Sequence, residues 1–470
     1  MSHLRGEPTP MPPSRTPGAA EPGTSVAAAP VAVPPGPDLR VEVLGDPEAL
    51  DGIEPDWNEL LRTSDATVFQ SFEWQRTWWR HFGERRRGAR LHVLTIRDGS
   101  TLVAVAPLWL ERSRLLGLAP VRRLRWIGCG DSDYLDLLVA RGREKECVER
   151  VAAALARDAG LFDVAVLEDA SERSRTGPLL ADALSRHGWT VSRVAAEPCP
   201  QTVLLRSWEE TIAAFRIHHR REIRRRLRNI ERGHRIELEV VSRPEEVDSA
   251  IREFMEMHQE RWERVGYWGA FSDPGVMPFH RDVAARLGAR GWLFLAFLRV
   301  DGHRRAGNYG FSFGDAVATF QSAVRHDPEL TPLSPGRVLH ALSMQWAIAR
   351  GRTRYDFMRG AEPYKYDFDA VDVPNWTTVA YPRAARRAAA GHVLYRAQER
   401  LLRRSRREVR ALRAAVRREG WLSGALLGHL GAVARRAADD ARQLARLTTP
   451  RSSPGEPTPA PPGREPEASS

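Results

Sequence analysis

A dense group of proton-exchanging side chains lies in the stretch YDFMRGAEPYKYDF, residues 355–368. It contains Asp356, Glu362, Tyr364 and Lys365, and Lys365 is one of only two lysines among the 71 basic residues of the chain. An ammonium is a compact charge whose pKa can move, whereas a guanidinium stays charged. A site that needs a single ammonium would therefore resist replacement by arginine. Chance survival in an arginine-rich composition is the alternative.

Other polar side chains stand where apolar residues dominate. His258, Arg261 and Trp262 follow one another at helical spacing (i, i+3, i+4), so they share one face of a predicted helix. They can reach a substrate, or the helix face can simply pack its tryptophan. Gln321 interrupts the apolar stretch TFQSAV in mid-strand, which indicates a cleft beside that strand.

The stretch GDSDYLDL, residues 130–137, adds a third polar group. Asp133, Tyr134 and Asp136 can line a pocket and hydrogen-bond the hydroxyls of a sugar. The alternative is a polar loop with one aspartate carried on a strand.

The elements that must position these groups form two successive α/β units. In the first unit, Asp98-Gly99 separates two apolar runs, which is a strong signal for a β-hairpin. Helices are predicted over 144–158 and 176–187, with a buried strand at 162–168 between them. A strand near 189–205 is expected to complete this unit.

The second unit has a similar layout, which indicates an internal duplication. It opens with a basic helix over 216–233 that ends at Gly233, followed by a strand and by two helices, one of which starts at Pro244. A three-stranded antiparallel meander with turns at Asp301-Gly302 and Gly314-Asp315 comes next. A helix opening at Ser334-Pro335-Gly336, the strand TRYDFM, the proton-exchanging loop and a last strand WTTVAY complete the unit.

The length of 470 residues and an apolar content of 42% predict two or three domains with substantial cores. No apolar run approaches the ~20 residues that a membrane-spanning helix needs. The N-terminus lacks the apolar core of a signal peptide, so we expect a cytoplasmic protein. The predicted division is a disordered N-terminus (1–38), a first domain (39–205), a second domain (206–382), an arginine-rich helical tail (383–448) and a disordered end (449–470).

Cysteine spacing and charge exclude several classes of protein. The three cysteines lie far apart with no ligand spacing for zinc, so neither a disulfide framework nor a metal site is predicted. The net charge of +11 comes from residues 383–450, which hold 17 arginines against five acids (17 − 5 = +12). Residues 1–382 balance to about zero, so the body of the protein is not a polyanion binder by charge.

Five stretches resemble one group of enzymes, the CelD/BcsL-type GNAT acetyltransferases associated with cellulose and exopolysaccharide biosynthesis. The order of elements from Pro244 to Met358 also resembles the GNAT fold. The resemblance covers roughly 40–382, and the group is similar in turn to the Fem-type peptidoglycan aminoacyl transferases, which carry two GNAT-like domains. The stretches are FQSFEWQRTWWRHFG (69–83), IGCGDSDYLDLLV (127–139), MHQERWERVG (257–266), LSPGRVLHALSMQWAIARG (333–351) and YDFMRGAEPYKYDF (355–368).

The resemblance implies an α/β (α+β) fold of tandem GNAT-like domains, with a basic helical tail, that uses acetyl-CoA or another acyl-CoA and no metal. GNAT enzymes hold the CoA pyrophosphate on backbone N–H groups at a helix N-terminus. The corresponding residues here are Ser334, Gly336, Arg337 and Val338. This turn departs from the usual pattern Gln/Arg-x-x-Gly-x-Gly/Ala, and an ordinary Pro-Gly helix start is the alternative.

The resemblance also places the loop 359–368 at the point where a thioester would meet its acceptor. Acyl transfer needs a base, an acid for the departing thiolate, and donors for the developing oxyanion. Glu362 is the candidate base and Asp356 the second candidate. Tyr364 is the candidate acid, and Lys365 can hold a phosphate, steady Glu362 or stabilise negative charge. No cysteine lies near, so direct transfer in a ternary complex is expected.

The acceptor that the resemblance implies is an amine or hydroxyl of a sugar, glycolipid or polysaccharide precursor. The first rival function is a Fem-like transferase that uses aminoacyl-tRNA, gripped by the basic helix 216–233 and the tail. The second rival is a non-catalytic scaffold of polysaccharide assembly. Only the second GNAT-like half is expected to bind CoA.

The arginine-rich tail itself predicts an amphipathic helix over 394–416. It can dock on the body as a hairpin with 424–447, lie on an anionic membrane surface, or touch RNA. Docking is the plainest interpretation and nucleic-acid binding the least favoured. The apolar positions at helical spacing are Leu394, Leu401, Leu402, Val409, Leu412 and Val416.

Overall fold

The structure, a computed structural model, describes residues 39–115, 119–264, 269–271 and 275–383. The predictions of disordered termini and of a basic helical tail beyond Arg383 lie outside these residues. Within them, no helix is both long and apolar enough to span a bilayer.

The first half builds two sheets. β1, β3, β4 and β7 form a four-stranded sheet in the order β1-β3-β4-β7. The elements up to the second half are, in chain order, β1 (Leu39–Leu44), α1 (Pro47–Asp51), α2 (Glu54–Arg62), α3 (Phe72–Trp78), β2 (Arg90–Leu91), β3 (Val93–Asp98), β4 (Thr101–Ala106), β5 (Leu108–Leu115), β6 (Ala119–Trp126), β7 (Leu138–Val139), α4 (Glu144–Arg157), β8 (Val164–Ser171), α5 (Thr176–Arg186), β9 (Trp189–Ala195) and β10 (Cys199–Val203).

The predicted hairpin at Asp98-Gly99 is confirmed. β3 and β4 pair antiparallel with Asp98 opposite Thr101, and Gly99 has a φ of +56°. A positive φ is cheap for glycine because it has no Cβ. The predicted helices 144–158 and 176–187 are α4 and α5, with the buried strand β8 between them.

The second half is built around one seven-stranded sheet, in the order β11-β12-β13-β14-β15-β10-β16. Its elements are α6 (Trp208–Ala214), α7 (Ile217–Gly233), β11 (Ile236–Val240), α8 (Pro244–Arg264), α9 (Val276–Ala289), β12 (Leu293–Val300), β13 (His303–Phe313), β14 (Ala316–Val324), α10 (Pro335–Ala349), β15 (Arg354–Asp356), α11 (Pro363–Tyr366), β16 (Val371–Val373) and β17 (Asn375–Pro382).

The predicted meander is confirmed in β12, β13 and β14, which pair antiparallel in sequence order. Asp301 and Gly302 both have positive φ (51° and 83°) at the first turn. Two central residues of positive φ are what a two-residue hairpin turn requires. The basic helix ends at Gly233 as predicted.

Two strands lie in the sheet of the other half, and here the sequence-based expectations were wrong. The segment near 189–205 is two strands, because β9 stays in a six-stranded sheet of the first half while β10 joins β15 and β16. The last strand, β17, does not join the second unit but inserts between β8 and β9, so that sheet has the order β2-β5-β6-β8-β17-β9. The predicted domain boundary at residue 205 stays a prediction, but strands cross it in both directions.

Helices cover both faces of the seven-stranded sheet. Residues of α10 such as Leu339 and Met344 pack on one face, against Phe294. On the other face, α8 and α9 share a core with α3 of the first half, where Trp74 contacts Phe279 edge-on at 5.3 Å between ring centroids. The apolar core is thus continuous between the halves on that face, which fixes the first half against the sheet.

Candidate functional site

β14 and β15 run parallel but stay together for only three residues each. Ala316–Ala318 pair with Arg354–Asp356, after which β14 continues to Val324 while β15 ends. Beyond Ala318 the two strands therefore diverge. We call the gap between them the splay.

A β-bulge lies where the splay begins. Tyr309 of β13 pairs with Gln321 and Gly310 pairs with Thr319, so Phe320 is an extra residue on β14. A bulge takes the extra residue out of the ladder and bends the strand. A Cβ on Gly310 would lie 1.9 Å from the Ala318 carbonyl oxygen, so only glycine fits opposite this bend. Gln321, beside which a cleft is predicted, directly follows this bend on β14.

The first turn of α10 begins at Ser334, which has a left-handed φ of 55°. The Ser334 carbonyl accepts hydrogen bonds from the N–H groups of Arg337 (2.9 Å) and Val338 (3.2 Å), and Pro335 has no N–H. Gly336, between Pro335 and Arg337, has an N–H group that does not bond to the Ser334 carbonyl. Val338 is buried in the core, so its side chain takes no part in the predicted CoA cradle.

Two arginines flank this turn. Arg226 of α7 donates a hydrogen bond to the Ser334 hydroxyl, and its guanidinium also contacts Glu222 at 2.6 Å. Arg337 donates through Nε to Asp367 at 2.6 Å. A half-buried cation on each side of a helix N-terminus favours an anion there. No pattern in the sequence indicates the contact of Arg226 with Ser334, because Ser334 lies 108 residues further along the chain.

Lys365 is buried and holds the backbone of its own loop. Its Nζ donates to the carbonyl oxygens of Met358 (2.9 Å), Arg359 (3.0 Å) and Gly360 (2.9 Å), and lies 2.9 Å from the Glu362 carboxylate. An ammonium has three N–H donors, so these carbonyls leave none for a phosphate. Of the roles predicted for Lys365, steadying Glu362 agrees with the ion pair at 2.9 Å, whereas its hold on the loop backbone was not predicted.

Two residues of the loop have backbone conformations that the hydrogen bonds of Lys365 stabilise. Met358 has a φ of +57° and Gly360 a φ of +111°. A non-glycine residue at positive φ costs of order 1 kcal/mol or more and persists only where surrounding contacts hold it. The carboxylate of Glu362, which is 54% exposed, would lie within 2.7–2.8 Å of a Cβ on Gly360.

Tyr364 faces the splay. Its ring stacks on His340, with 5.3 Å between centroids and 23° between planes. Burial first, and then the charge of Glu362, raise the pKa of Tyr364 to about 12, while a hydrogen bond with Ser322 of β14 and the charges of Arg261 and Arg337 act in the opposite direction. The phenol therefore carries its proton at neutral pH.

His258 is neutral and serves the helix that carries it. Its Nε2 accepts a hydrogen bond from Trp262 Nε1 at 2.9 Å, which assigns the proton to Nδ1. Burial, and to a smaller extent the charge of Arg261, lowers the pKa of His258 to about 4. A hydrogen bond with Gln321 acts in the opposite direction and raises the pKa. The predicted shared face of His258, Arg261 and Trp262 thus lies beside β14, with Arg261 exposed and close enough to affect Tyr364.

Asp356 ends β15 and is held on both carboxylate oxygens. Its Oδ2 accepts from Tyr134 Oη (2.7 Å) and Gln201 Nε2 (2.7 Å), and its Oδ1 accepts from the Met358 N–H (2.8 Å). Burial raises the pKa of Asp356 to about 6, and the Tyr134 hydrogen bond opposes this. Both carboxylate oxygens of this candidate base already accept hydrogen bonds, and the bond from Tyr134 joins the two halves.

Asp133 is an anchor for the loop rather than a lining group of a pocket. Its carboxylate lies 2.9 Å from the Arg359 guanidinium and accepts the Arg359 N–H at 3.1 Å. Arg359 reaches Asp169 of β8 as well, at 3.1 Å. The ion pairs tie the loop to the first half, and sequence reasoning missed Arg359 because both partners lie about 190 or more residues away in the chain.

A cavity of about 680 Å³ lies between the first half and the seven-stranded sheet. Tyr134, Asp136 and Asp356 line it, as do the aromatic rings of Phe69 and Phe311. Asp136 accepts a hydrogen bond from Thr176, and burial raises its pKa. Two of the three residues predicted in GDSDYLDL therefore line this cavity, whereas Asp133 does not.

The candidate residues thus fall into two groups joined by one loop. The first group surrounds the splay and the α10 turn: Gln321, Tyr364, Glu362, Arg261, His258, Trp262, Ser334, Gly336 and Arg337. The second group surrounds the cavity: Tyr134, Asp136 and Asp356. Lys365 and Asp133 hold the loop between them. In the described ranges, no cluster of His, Cys, Asp and Glu has the arrangement of a metal site.

Comparison with known families identifies the domain that carries the splay. Residues 218–366 match a family described as "Acetyltransferase (GNAT) domain". The chain therefore has a mixed α/β fold with a GNAT domain, and it is an acyltransferase. GNAT domains use acyl-CoA. No curated protein matches the chain significantly.

Solved structures give a similar result for the fold. FemX superposes with a TM-score of 0.52 at 11% identity, over 70% of this chain and 96% of that chain. L-PGS from Bacillus licheniformis (TM-score 0.43, 12% identity, 76% and 97% covered) and a tandem GNAT protein from the clavulanic acid biosynthesis pathway (0.39, 14%, 73% and 98%) also match. At 11% identity, the similarity to FemX supports the fold alone. Membership of the CelD/BcsL-type group stays a prediction.

Proposed function

We propose that this acyltransferase transfers an acetyl or longer acyl group from acyl-CoA to an amine or hydroxyl of a sugar, glycolipid or polysaccharide precursor. The observation that carries the proposal is the position of Tyr364. It sits in the last residues of the GNAT match, stacked on His340 and hydrogen-bonded to Ser322 where β14 has left β15. A protonated phenol at that point is placed to meet a departing thiolate.

The first turn of α10 suits the pyrophosphate of CoA. Gly336 offers a backbone N–H, and the guanidinium groups of Arg226 and Arg337 flank it. Acyl-CoA supplies an activated thioester carbonyl, which would lie in the splay beside the bulge at Phe320. Backbone N–H groups freed from the ladder at such a bulge are suitable donors to the oxyanion.

The chain's own residues then divide the proton transfers. As the acceptor nitrogen or oxygen bonds to the acyl carbon, its proton passes to the Glu362 carboxylate. As the carbon–sulfur bond breaks, the sulfur takes the proton of Tyr364 Oη. Glu362 is half-exposed and can pass its proton to solvent, and solvent can return one to Tyr364. Lys365 positions Glu362 for this exchange.

The acceptor would enter the cavity on the other side of the loop. Tyr134 and Asp136 supply hydrogen-bonding groups, and Phe69 and Phe311 supply flat apolar surfaces. Sugars are recognised by that combination of hydrogen bonds and stacking. A volume of about 680 Å³ is within the range of small-molecule sites.

Calorimetric titration with acetyl-CoA tests the donor half of the proposal. We expect micromolar binding by the wild type, loss of binding with Gly336→Glu, and a weaker complex with Arg226→Gln, which changes no backbone. Gly160→Glu is the matched control, because Gly160 is exposed and a Cβ there meets nothing within 4 Å. Absence of binding to acetyl-CoA and to longer acyl-CoAs would contradict the proposal.

The two rival functions are outcomes of the same experiment. Binding of aminoacyl-tRNA in place of acyl-CoA would favour the Fem-like transferase, for which the basic helix α7 would be the grip. Binding of neither, with a folded protein, would favour the scaffold.

Activity retained in Glu362→Gln would exclude Glu362 as the base. A cytoplasmic location and a tail that docks on the body or on an anionic membrane complete the proposal.

A further inference from the structure

The two most exposed large apolar side chains of the described residues are neighbours on one face of the seven-stranded sheet. Val203 ends β10 and is 68% exposed, and Val371 begins β16 and is 70% exposed. Gln201 pairs with Val371 across β10 and β16, and side chains alternate between the two faces along a strand. Val203, two residues after Gln201, is therefore a diagonal neighbour of Val371, about 7–8 Å away. We call this pair of valines the shelf.

Cross-strand partners place the shelf on the face of the sheet that borders the cavity. Val203 pairs with Arg354, and Gln201 pairs with Asp356. Directly paired side chains project from the same face of a sheet, and Arg354, Gln201 and Asp356 all line the cavity. The β14 partners of Arg354 and Asp356 line it as well. A ligand in the cavity that extends towards the edge strand β16 therefore meets the shelf.

The first half covers this face of the sheet up to the shelf and no further. The Glu172 N–H donates to the Pro374 carbonyl at 2.8 Å, which brings the segment after β8 to the end of β16. Val373 is only 8% exposed there, whereas Val371, two residues earlier and on the same face, is 70% exposed. The cover thus ends between these two valines, and the shelf continues the floor of the cavity out to the sheet edge.

The distance from the splay assigns the shelf to the acceptor and not to an acetyl group. The splay begins where β15 ends at Asp356, and Val371 lies level with Asp356 through their common partner Gln201. Because β16 is two strands beyond β15 and strands lie about 4.8 Å apart, about 10 Å separates the two positions along the sheet. An acetyl group at the splay does not reach so far. An acceptor whose hydroxyl or amine is at the splay can extend through the cavity to the shelf.

We propose that the acceptor carries an aliphatic chain, which lies on the shelf while the polar part of the acceptor fills the cavity. Both side chains of the shelf are aliphatic and offer no hydrogen-bonding group, so they favour hydrocarbon over a further polar unit. The inference rests on the proposed function, because it assigns the cavity to the acceptor. It narrows that acceptor to a glycolipid or another compound in which an aliphatic chain follows the reacting group.

A protein partner accounts less well for the shelf. A stable protein interface buries about 800 Å² on each partner, and two valine side chains supply only a small part of that area. A second copy of this chain and the arginine-rich segment 384–450 are therefore treated as outcomes of the test.

Calorimetric titration of the full chain with methyl and octyl β-D-glucoside, each below its micellar concentration, tests the proposal. A fully buried methylene is worth about four-fold in affinity, and one in a chain with water on one side about two-fold. Octyl glucoside should therefore bind at least about ten-fold more tightly than methyl glucoside. Val203→Thr with Val371→Thr keeps the shape of the shelf but adds two hydroxyls, so this ratio should fall to about three-fold or less. Val43→Thr, at a 44% exposed valine of β1, is the matched control and should leave the ratio unchanged.

Equal affinity for the two glucosides, no binding of octyl glucoside, or an unchanged ratio in the double threonine variant would overturn the proposal. If that variant instead loses affinity for octanoyl-CoA relative to acetyl-CoA, the shelf holds the acyl chain of the donor. If it changes the oligomeric state or the protease sensitivity of 384–450 at an unchanged ratio, a second copy or that segment covers the shelf. The glucoside titration needs no turnover, so a failure to bind acyl-CoA would contradict the proposed function separately.

Discussion

Replacing Lys365 by methionine removes the donor that holds the loop between the splay and the cavity. Methionine keeps much of the length and the apolar stem but offers no N–H group. The carbonyls of Met358, Arg359 and Gly360 then lose their shared partner in a site where Lys365 is 2% exposed. We expect a large loss of stability and, through the loop, a loss of acyl transfer.

The size of the stability loss follows from these contacts. Hydrogen bonds to a charged group contribute about 1.5–3 kcal/mol each, and carbonyls left unsatisfied when buried cost a similar amount. Three carbonyls share one donor, so the contributions do not simply add. The ion pair with Glu362 adds at most about 1 kcal/mol, because that carboxylate is 54% exposed. The free energy of unfolding should therefore fall by about 3–5 kcal/mol.

Urea denaturation of Lys365→Met, Lys365→Arg and Lys145→Met measures this loss. Lys145, the other lysine, is exposed in the first turn of α4, so its variant should stay within about 0.5 kcal/mol of the wild type. The planar guanidinium of Lys365→Arg cannot direct three N–H groups as the ammonium does. The free energy of unfolding of this variant should therefore lie between those of Lys365→Met and the wild type. An unchanged free energy of unfolding in Lys365→Met, together with a collapse of kcat, would refute a positioning role and make Lys365 a catalytic group.

Three further variants test other parts of the site. Tyr364→Phe should lower kcat by about 10²–10⁴-fold while the calorimetric Kd for acetyl-CoA stays nearly constant, because only the proton is removed; an unchanged kcat would exclude Tyr364 as the acid. Gly310→Ala would bring a Cβ within 1.9 Å of the Ala318 carbonyl oxygen, so denaturation should show a loss above about 3 kcal/mol, whereas Gly45→Ala should show almost none. Burial raises the pKa of Asp356 to about 6 in the native state, above the ordinary 3.8, so the native protein binds this proton more tightly than the unfolded chain. The stability of the wild type relative to Asp356→Asn should then fall by up to about 3 kcal/mol as the pH rises from 4 to 7, and a pH-independent difference would contradict it.

The local parts of the fold were predictable from the sequence because their signals are local. Asp301-Gly302 can adopt two positive φ values in succession, and Ser334-Pro335-Gly336 combines a helix start with a residue that lacks an N–H group. The loop 355–368 was recognisable because proton-exchanging residues are concentrated there. Each of these features is decided by residues within a few positions of one another.

The exchange of strands was not predictable, because any exposed strand can pair with several partners. The compositions of β10 and β17 do not identify their partners, and only the assembled core decides that β10 joins β15 and that β17 enters between β8 and β9. The same holds for side chains whose partners are distant in sequence. Arg226, Arg359 and Gln201 bond to residues 108–227 positions away, and no spacing rule connects them.

The exchanged strands have a consequence for how the proposed reaction would proceed. Rotation of the first half away from the second would carry β17 with β8 and β9 and leave β10 with β15 and β16, so the chain would have to bend at the two short connections, 196–198 and Pro374. It would also break the hydrogen bond of Asp356 with Tyr134 and the ion pair of Arg359 with Asp133, which oppose such a rotation. The splay and the cavity are therefore held at a fixed distance by the loop that Lys365 braces. Under the proposed function, acceptor choice then depends on the shape and lining of the cavity.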